Sequence, residues 1–236
     1  MERLVLRTLL CTVIAIPLAT SSVAAQTKWS TTAYGVAEYG TDETTLLLAG
    51  FNTGPGGYGL HPRVGAQVYW LTYNPSNRTN VTLFRPFVGL ANNYHGGSVS
   101  ANIGYAFTNK DVAIPVSSGV SGKGVVVATD VEYWGPNAHS LAYQLLGAYN
   151  FGSENLWTRG RVTAPLRIAS NGSQTRIGGE LAYQNGDTYT AWQPGGVLEF
   201  HNTRGQILIL GAGAKLIQNA DTEAFFRVEG VLPIGR

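Results

Sequence analysis

The sequence holds one cysteine, Cys11, and it stands within the first 25 residues. Everything after it lacks a disulfide, a thiolate metal ligand or a thiol nucleophile. Secreted eukaryotic domains commonly depend on disulfides, so this lack favours a bacterial source. The sequons at Asn77, Asn80 and Asn171 are then accidental. Charge is scarce as well, and 16 basic side chains nearly cancel 14 acidic ones. That balance implies no polyanion partner and argues against nucleic acid. No apolar run approaches the ~20 residues that a membrane helix needs. If the chain enters a membrane, it crosses as strands. Histidine is rare too: His61, His95, His139 and His201 sit at or near predicted turns, and no two have metal-ligand spacing. Each reads as a surface histidine, and no metal or other cofactor is expected.

What is present begins with an export signal. Arg3 and Arg7, partly offset by Glu2, precede the apolar stretch Leu9–Leu18 and the small-residue run Ala19–Ala25. A basic start, a short apolar core and small residues before the cut are what a signal peptidase reads. Cleavage is expected after Ala25, with Ala24 as the alternative. Leu10 before Cys11 is too large for a lipoprotein acceptor site. Residues 26–236, about 210 in all, then fit a single β-barrel domain.

From Trp29 onward, short alternating segments closed by turn signals fill the chain, and no stretch holds a period of 3.6. Strands are predicted near 29–40, 43–53, 64–74, 79–92, 97–108, 123–134, 141–152, 155–169, 174–185, 188–202, 206–218 and 222–234. That is about twelve, an even number as single-chain bacterial barrels have. Turn chemistry separates them, as in Asn74-Pro75-Ser76-Asn77, Asn185-Gly186-Asp187 and Arg204-Gly205. In the last strand, Ala224, Phe226, Val228, Gly230, Leu232 and Ile234 share one face, while Glu223, Phe225, Arg227 and Glu229 share the other. The same division runs through 206–218, 174–185 and 155–169. A soluble sandwich would crowd its polar face with Lys, Glu and Thr. Here that face holds glycines and an occasional Arg or Glu, and the apolar face often ends in aromatics, which suit the two bilayer interfaces. The predicted fold is all-β, an antiparallel up-and-down transmembrane β-barrel. Outer-membrane lipid and the barrel-insertion machinery are its expected partners. The ending Leu232-Pro233-Ile234-Gly235-Arg236 lacks the terminal aromatic that many such barrels carry, and Pro233 cannot donate to a closing ladder.

If apolar faces meet lipid, the opposite faces define a lumen. Arg159, Arg161, Arg176, Glu180, Glu199, Lys215, Arg227 and Glu229 all fall there on adjacent strands, and Asp130 and Glu132 share the inward face of 123–134. Two readings follow. Buried charges persist when paired, which makes the cluster a structural network. A polar lumen can also bind or conduct a small hydrophilic or anionic solute, with arginines as bidentate partners. No catalytic triad is visible. The nearest approach, His139-Ser140 beside Asn137, puts neighbours on opposite faces of one strand and out of mutual reach. Gly54–Leu60 reads as a flexible loop rather than a phosphate cradle. Val112–Gly122, the longest connection, is suited to the barrel mouth, to a partner or to a plain surface loop.

Across 156–200 the residues Leu156-Trp157-Thr158-Arg159-Gly160-Arg161, Ile177-Gly178-Gly179-Glu180, Asn185-Gly186-Asp187-Thr188-Tyr189 and Gly195-Gly196-Val197 carry a resemblance. This region resembles the BcsS-type outer-membrane proteins encoded with bacterial cellulose synthases. It departs from them where Gly179 replaces a proline and where the turn reads Asn-Gly. The resemblance implies a non-enzymatic accessory barrel of an exopolysaccharide system, with polysaccharide-synthesis components as partners.

Overall fold

A computed structural model describes residues 29–41, 44–73, 79–109, 120–135, 137–186, 189–218 and 221–234. The expected export segment, residues 112–119 of the long connection and the last two residues lie outside that set. Twelve strands follow one another: β1 Trp29–Gly40, β2 Thr45–Pro55, β3 Gly59–Tyr73, β4 Thr79–Tyr94, β5 Gly97–Thr108, β6 Gly124–Tyr133, β7 Ala142–Asn150, β8 Asn155–Ile168, β9 Gln174–Asn185, β10 Thr190–His201, β11 Ile207–Ile217 and β12 Glu223–Ile234. Each pairs antiparallel with the next, and β1 pairs with β12 to close the barrel. The predicted twelve-stranded up-and-down barrel is therefore the fold. Closure removes the open edges that make sheets sticky.

The closing ladder runs from Thr31 opposite Ile234 to Gly40 opposite Phe225, with Pro233 seated opposite Thr32. Pro233 forfeits one donor, but it sits next to the end of the ladder, where few bonds lie beyond it. The glycine-rich segment 54–60 differs from its reading as a loop. Gly54 and Pro55 finish β2, Gly56–Tyr58 form a tight turn, and Gly59 opens β3 opposite Asn93. Gly57 and Gly59 take φ of 107° and 95°, and Asn93 Nδ2 donates to the Gly57 carbonyl at 3.0 Å. Glycine here supplies left-handed backbone for a short turn instead of slack.

Alternation sorts the two faces. Phe226 is 52% exposed and its neighbour Phe225 only 4%. Outward Leu145, Val162, Leu181 and Leu208 continue that apolar band around the wall. Aromatics ring both of its rims. At the end where β1 starts and β12 finishes, here the near end, stand Trp29, Tyr58, Trp134 and Tyr143. At the far end stand Tyr39, Trp70, Phe107, Phe151 and Trp192. Tyr183 and Trp192 pack at 4.5 Å between centroids, and Tyr149 meets Phe151 edge to face at 4.8 Å. An apolar wall between aromatic girdles is the exterior of a barrel that sits in lipid.

Candidate functional site in the barrel lumen

The inward faces divide the lumen lengthwise. Toward the far end Leu46, Leu71, Val81, Leu83, Ala106, Val126 and Trp157 form one apolar cluster. Val120, 2% exposed at the end of the long connection, is packed into it. Asn150 Nδ2 ties that connection down by donating to the carbonyls of Ser121 and Gly122, both at 2.8 Å. The described end of the longest connection, residues 120–122, thus packs into the barrel end.

The middle of the lumen holds a charge belt. Glu229 is its hub: Arg159 Nη1 donates to it at 2.6 Å, Arg161 Nη2 at 2.8 Å, and Arg227 Nε lies 2.7 Å away. Glu180 accepts from Arg161 at 2.9 Å and from Arg227. Glu199 stands 3.6 Å from Arg161, 4.0 Å from Arg176 and 3.0 Å from His201 Nε2. Glu38, directly opposite Arg227 in the closing ladder, reaches it at 3.6 Å. Arg159 and Arg227 also lie over the rings of Trp157 and Phe225.

All eight residues singled out in the sequence therefore point inward and are buried, and seven join one network. Lys215 stands apart with Glu223, 3.7 Å away toward the far end. Charges buried this way survive because each has an opposite partner and further donors. His201 departs from its reading as a surface histidine, because the alternation of β10 places it on the inward face beside Glu199. His61 likewise lines the lumen, having been drawn into β3 by the longer strand.

Alongside the belt, from the apolar cluster to the near end, runs a chamber of about 610 Å³. Val126, Ala148 and Trp157 of the apolar cluster form its floor, while Gly57, Trp134 and Gly205 mark its mouth. Arg159, Arg161, Glu199 and Glu229 face it from the C-terminal half, and Asp130 and Glu132 from β6. Its other wall escaped the sequence reading. Arg63 Nη1 donates to Ser100 Oγ at 3.0 Å. Gln67 Nε2 donates to Tyr34 Oη at 2.6 Å, Tyr69 Oη donates to Gln67 Oε1 at 3.0 Å, and Arg85 Nη2 donates to the same oxygen. The Tyr34 ring fits because it lies over Gly50, where a Cβ would come within 2.6 Å of it. The signal was present: Arg63, Gly65, Gln67 and Tyr69 alternate inward, but a strand started at 64 hides the first of them. Ser140 Oγ donates to Asn137 Oδ1 at 3.2 Å, so its hydroxyl is turned to the amide rather than to His139. Among the described residues no three His, Cys, Asp or Glu side chains are grouped to hold a metal.

An apolar exterior, aromatic rims and a polar lumen define the class as that of the outer-membrane β-barrels. Solved barrels share the fold. The KdgM porin in complex with disordered oligogalacturonate superposes with a TM-score of 0.52 at 10% identity, over 86% of this chain and 99% of that one. An outer membrane channel from Pseudomonas putida F1 gives 0.50 at 12% identity, over 92% and 99%. At such identities the likeness is one of fold. No protein-family model matches the sequence. No curated protein matches it either.

Proposed function

We propose that this chain is an outer-membrane barrel forming a narrow, non-enzymatic passage for small polar or anionic solutes. One observation carries the reading: a chamber of about 610 Å³ with both signs of charge on its wall, inside an apolar cylinder. A water-filled polar lumen within a lipid-facing wall is the arrangement that porins use. The KdgM porin, solved with an oligogalacturonate, is a barrel of similar fold that holds an anionic solute. In this reading residues 1–25 direct export and are removed, and the insertion machinery seats residues 26–236 in outer-membrane lipid. The longest connection, between β5 and β6, lies at the far end, and such barrels set their longer loops outside the cell. The chamber then opens to the periplasm, and the apolar floor shuts the passage in the state described. Hydrophobic constrictions of this kind gate by excluding water.

A second reading is an accessory barrel of exopolysaccharide synthesis, which rests on the BcsS-like residues of 156–200 and is favoured by the self-compensated belt. Planar-bilayer recording separates the two. A passage gives brief discrete openings that anionic solutes block, whereas a trace flat at every voltage leaves the accessory reading in possession.

A further inference from the structure

We propose that the β3–β6 wall of the chamber is a binding site for a small carboxylate bearing several hydroxyls, such as a sugar acid. The proposal rests on the chamber's being a solute compartment and names what enters it.

The two sides of the lumen treat arginine differently. In the C-terminal half Arg159, Arg161, Arg176 and Arg227 each have a glutamate within reach. On the other side the hydrogen bonds of Arg63 and Arg85 go to neutral groups, Ser100 and Gln67, while Asp130 and Glu132 act on Arg63 through space without bonding to it. Arg63 Nε and Arg85 Nη1 are buried with no hydrogen-bond partner among the described residues; Arg159 Nε and Arg227 Nε are so too, but those two guanidinium groups already have Glu229. A guanidinium taken from bulk water is costly unless something accepts from it. Two such groups facing one chamber make a site for a carboxylate, whose oxygens match a guanidinium's fork.

Acceptors left open on the same wall say what else the solute carries. Asp130 Oδ1 and Asn102 Oδ1 are also buried without a partner among the described residues. Asp130 lies directly opposite Ser100 on the neighbouring strand, and Ser100 is the residue that Arg63 grips. Open donors and open acceptors therefore stand side by side. A bare carboxylate satisfies only the donors, and a neutral sugar brings neither arginine a charged acceptor. A hydroxylated carboxylate satisfies both sets. The chamber lies within the ~300–1,000 Å³ usual for small-molecule sites.

The test is titration calorimetry on the full barrel refolded in detergent, with galacturonate, galactose and propionate as probes. The expected result is saturable galacturonate binding, at least tenfold tighter than either other probe, and weakened tenfold or more in Arg63→Gln and Arg85→Gln. Variants are compared only where the unheated gel band still shifts. If neither arginine variant folds, Asp130→Leu, which removes the acceptor at similar size, is the arbiter and is expected to bring galacturonate down toward propionate. No saturable binding by the unaltered protein, equal binding of all three probes, or folded variants that bind unchanged would each overturn the site. Conductance is read separately. Binding without conductance keeps the site and removes the passage, and conductance without binding does the reverse.

Discussion

A single carboxylate, Glu229, does more than any other residue to hold the lumen together, since three arginines converge on it. Glu229→Gln leaves those guanidinium groups buried and short of a counter-charge. Removing one partner of a buried pair costs about 3–5 kcal/mol. Urea unfolding followed by the shift between unheated and boiled gel bands should show a loss in that range. An unchanged midpoint would mean that water compensates the belt. At this scale the sequence was readable where alternation was clean. Arg227 and Glu229 in β12, and Arg159 and Arg161 in β8, could be assigned inward from neighbouring apolar residues alone. Arg63 could not, because the glycines before it mimic a loop. Glu38 escaped notice because its partner, Arg227, lies at the opposite end of the chain, and only barrel closure brings the two together.

Strands carry the two-faced pattern as units, and their outward residues are set by lipid. Leu145, in the middle of β7 and 54% exposed, faces outward between Val131 and Gly160 on the adjacent strands. Leu145→Lys should cost about 2–4 kcal/mol in a bilayer, the penalty for a lysine near the midplane of a barrel's lipid face. Folded yield in liposomes measures it, and no change would place the band off the membrane centre. All twelve strands were visible in the sequence because a period of two persisted through each. Their ends were less so. β3 begins five residues before its predicted start, since its pairing with β4 carries it past the point where composition turns glycine-rich. Pro233 was expected to weaken β12, yet the β1–β12 ladder includes it, because closure depends on the whole register rather than on one bond.

The molecule as a whole is a cylinder with unlike halves, packed around an apolar cluster toward the far end, polar and hollow toward the near end. That division was not legible along the chain, because the apolar cluster gathers one or two residues from each of β2 to β8 together with Val120 from a connection. Absence of cysteine after residue 25 makes the orientation testable. A thiol at Thr222, in the far-end connection before β12, should react with a membrane-impermeant maleimide on intact cells. One at Thr203, in the near-end turn after β10, should react only after the outer membrane is broken. Reversed labelling would turn the chamber to the outside.

The floor decides whether a closed barrel is also a passage. Val126 is almost fully buried and belongs both to the apolar cluster and to the chamber lining. Val126→Asn keeps its size within about one atom and lets the constriction wet. Single-channel recording of the two proteins in the same bilayer tests this most directly. Brief, rare openings are expected for the unaltered barrel and a sustained, larger open fraction for Val126→Asn. Equal open fractions in the two, or flat traces from both at every voltage, would contradict that expectation.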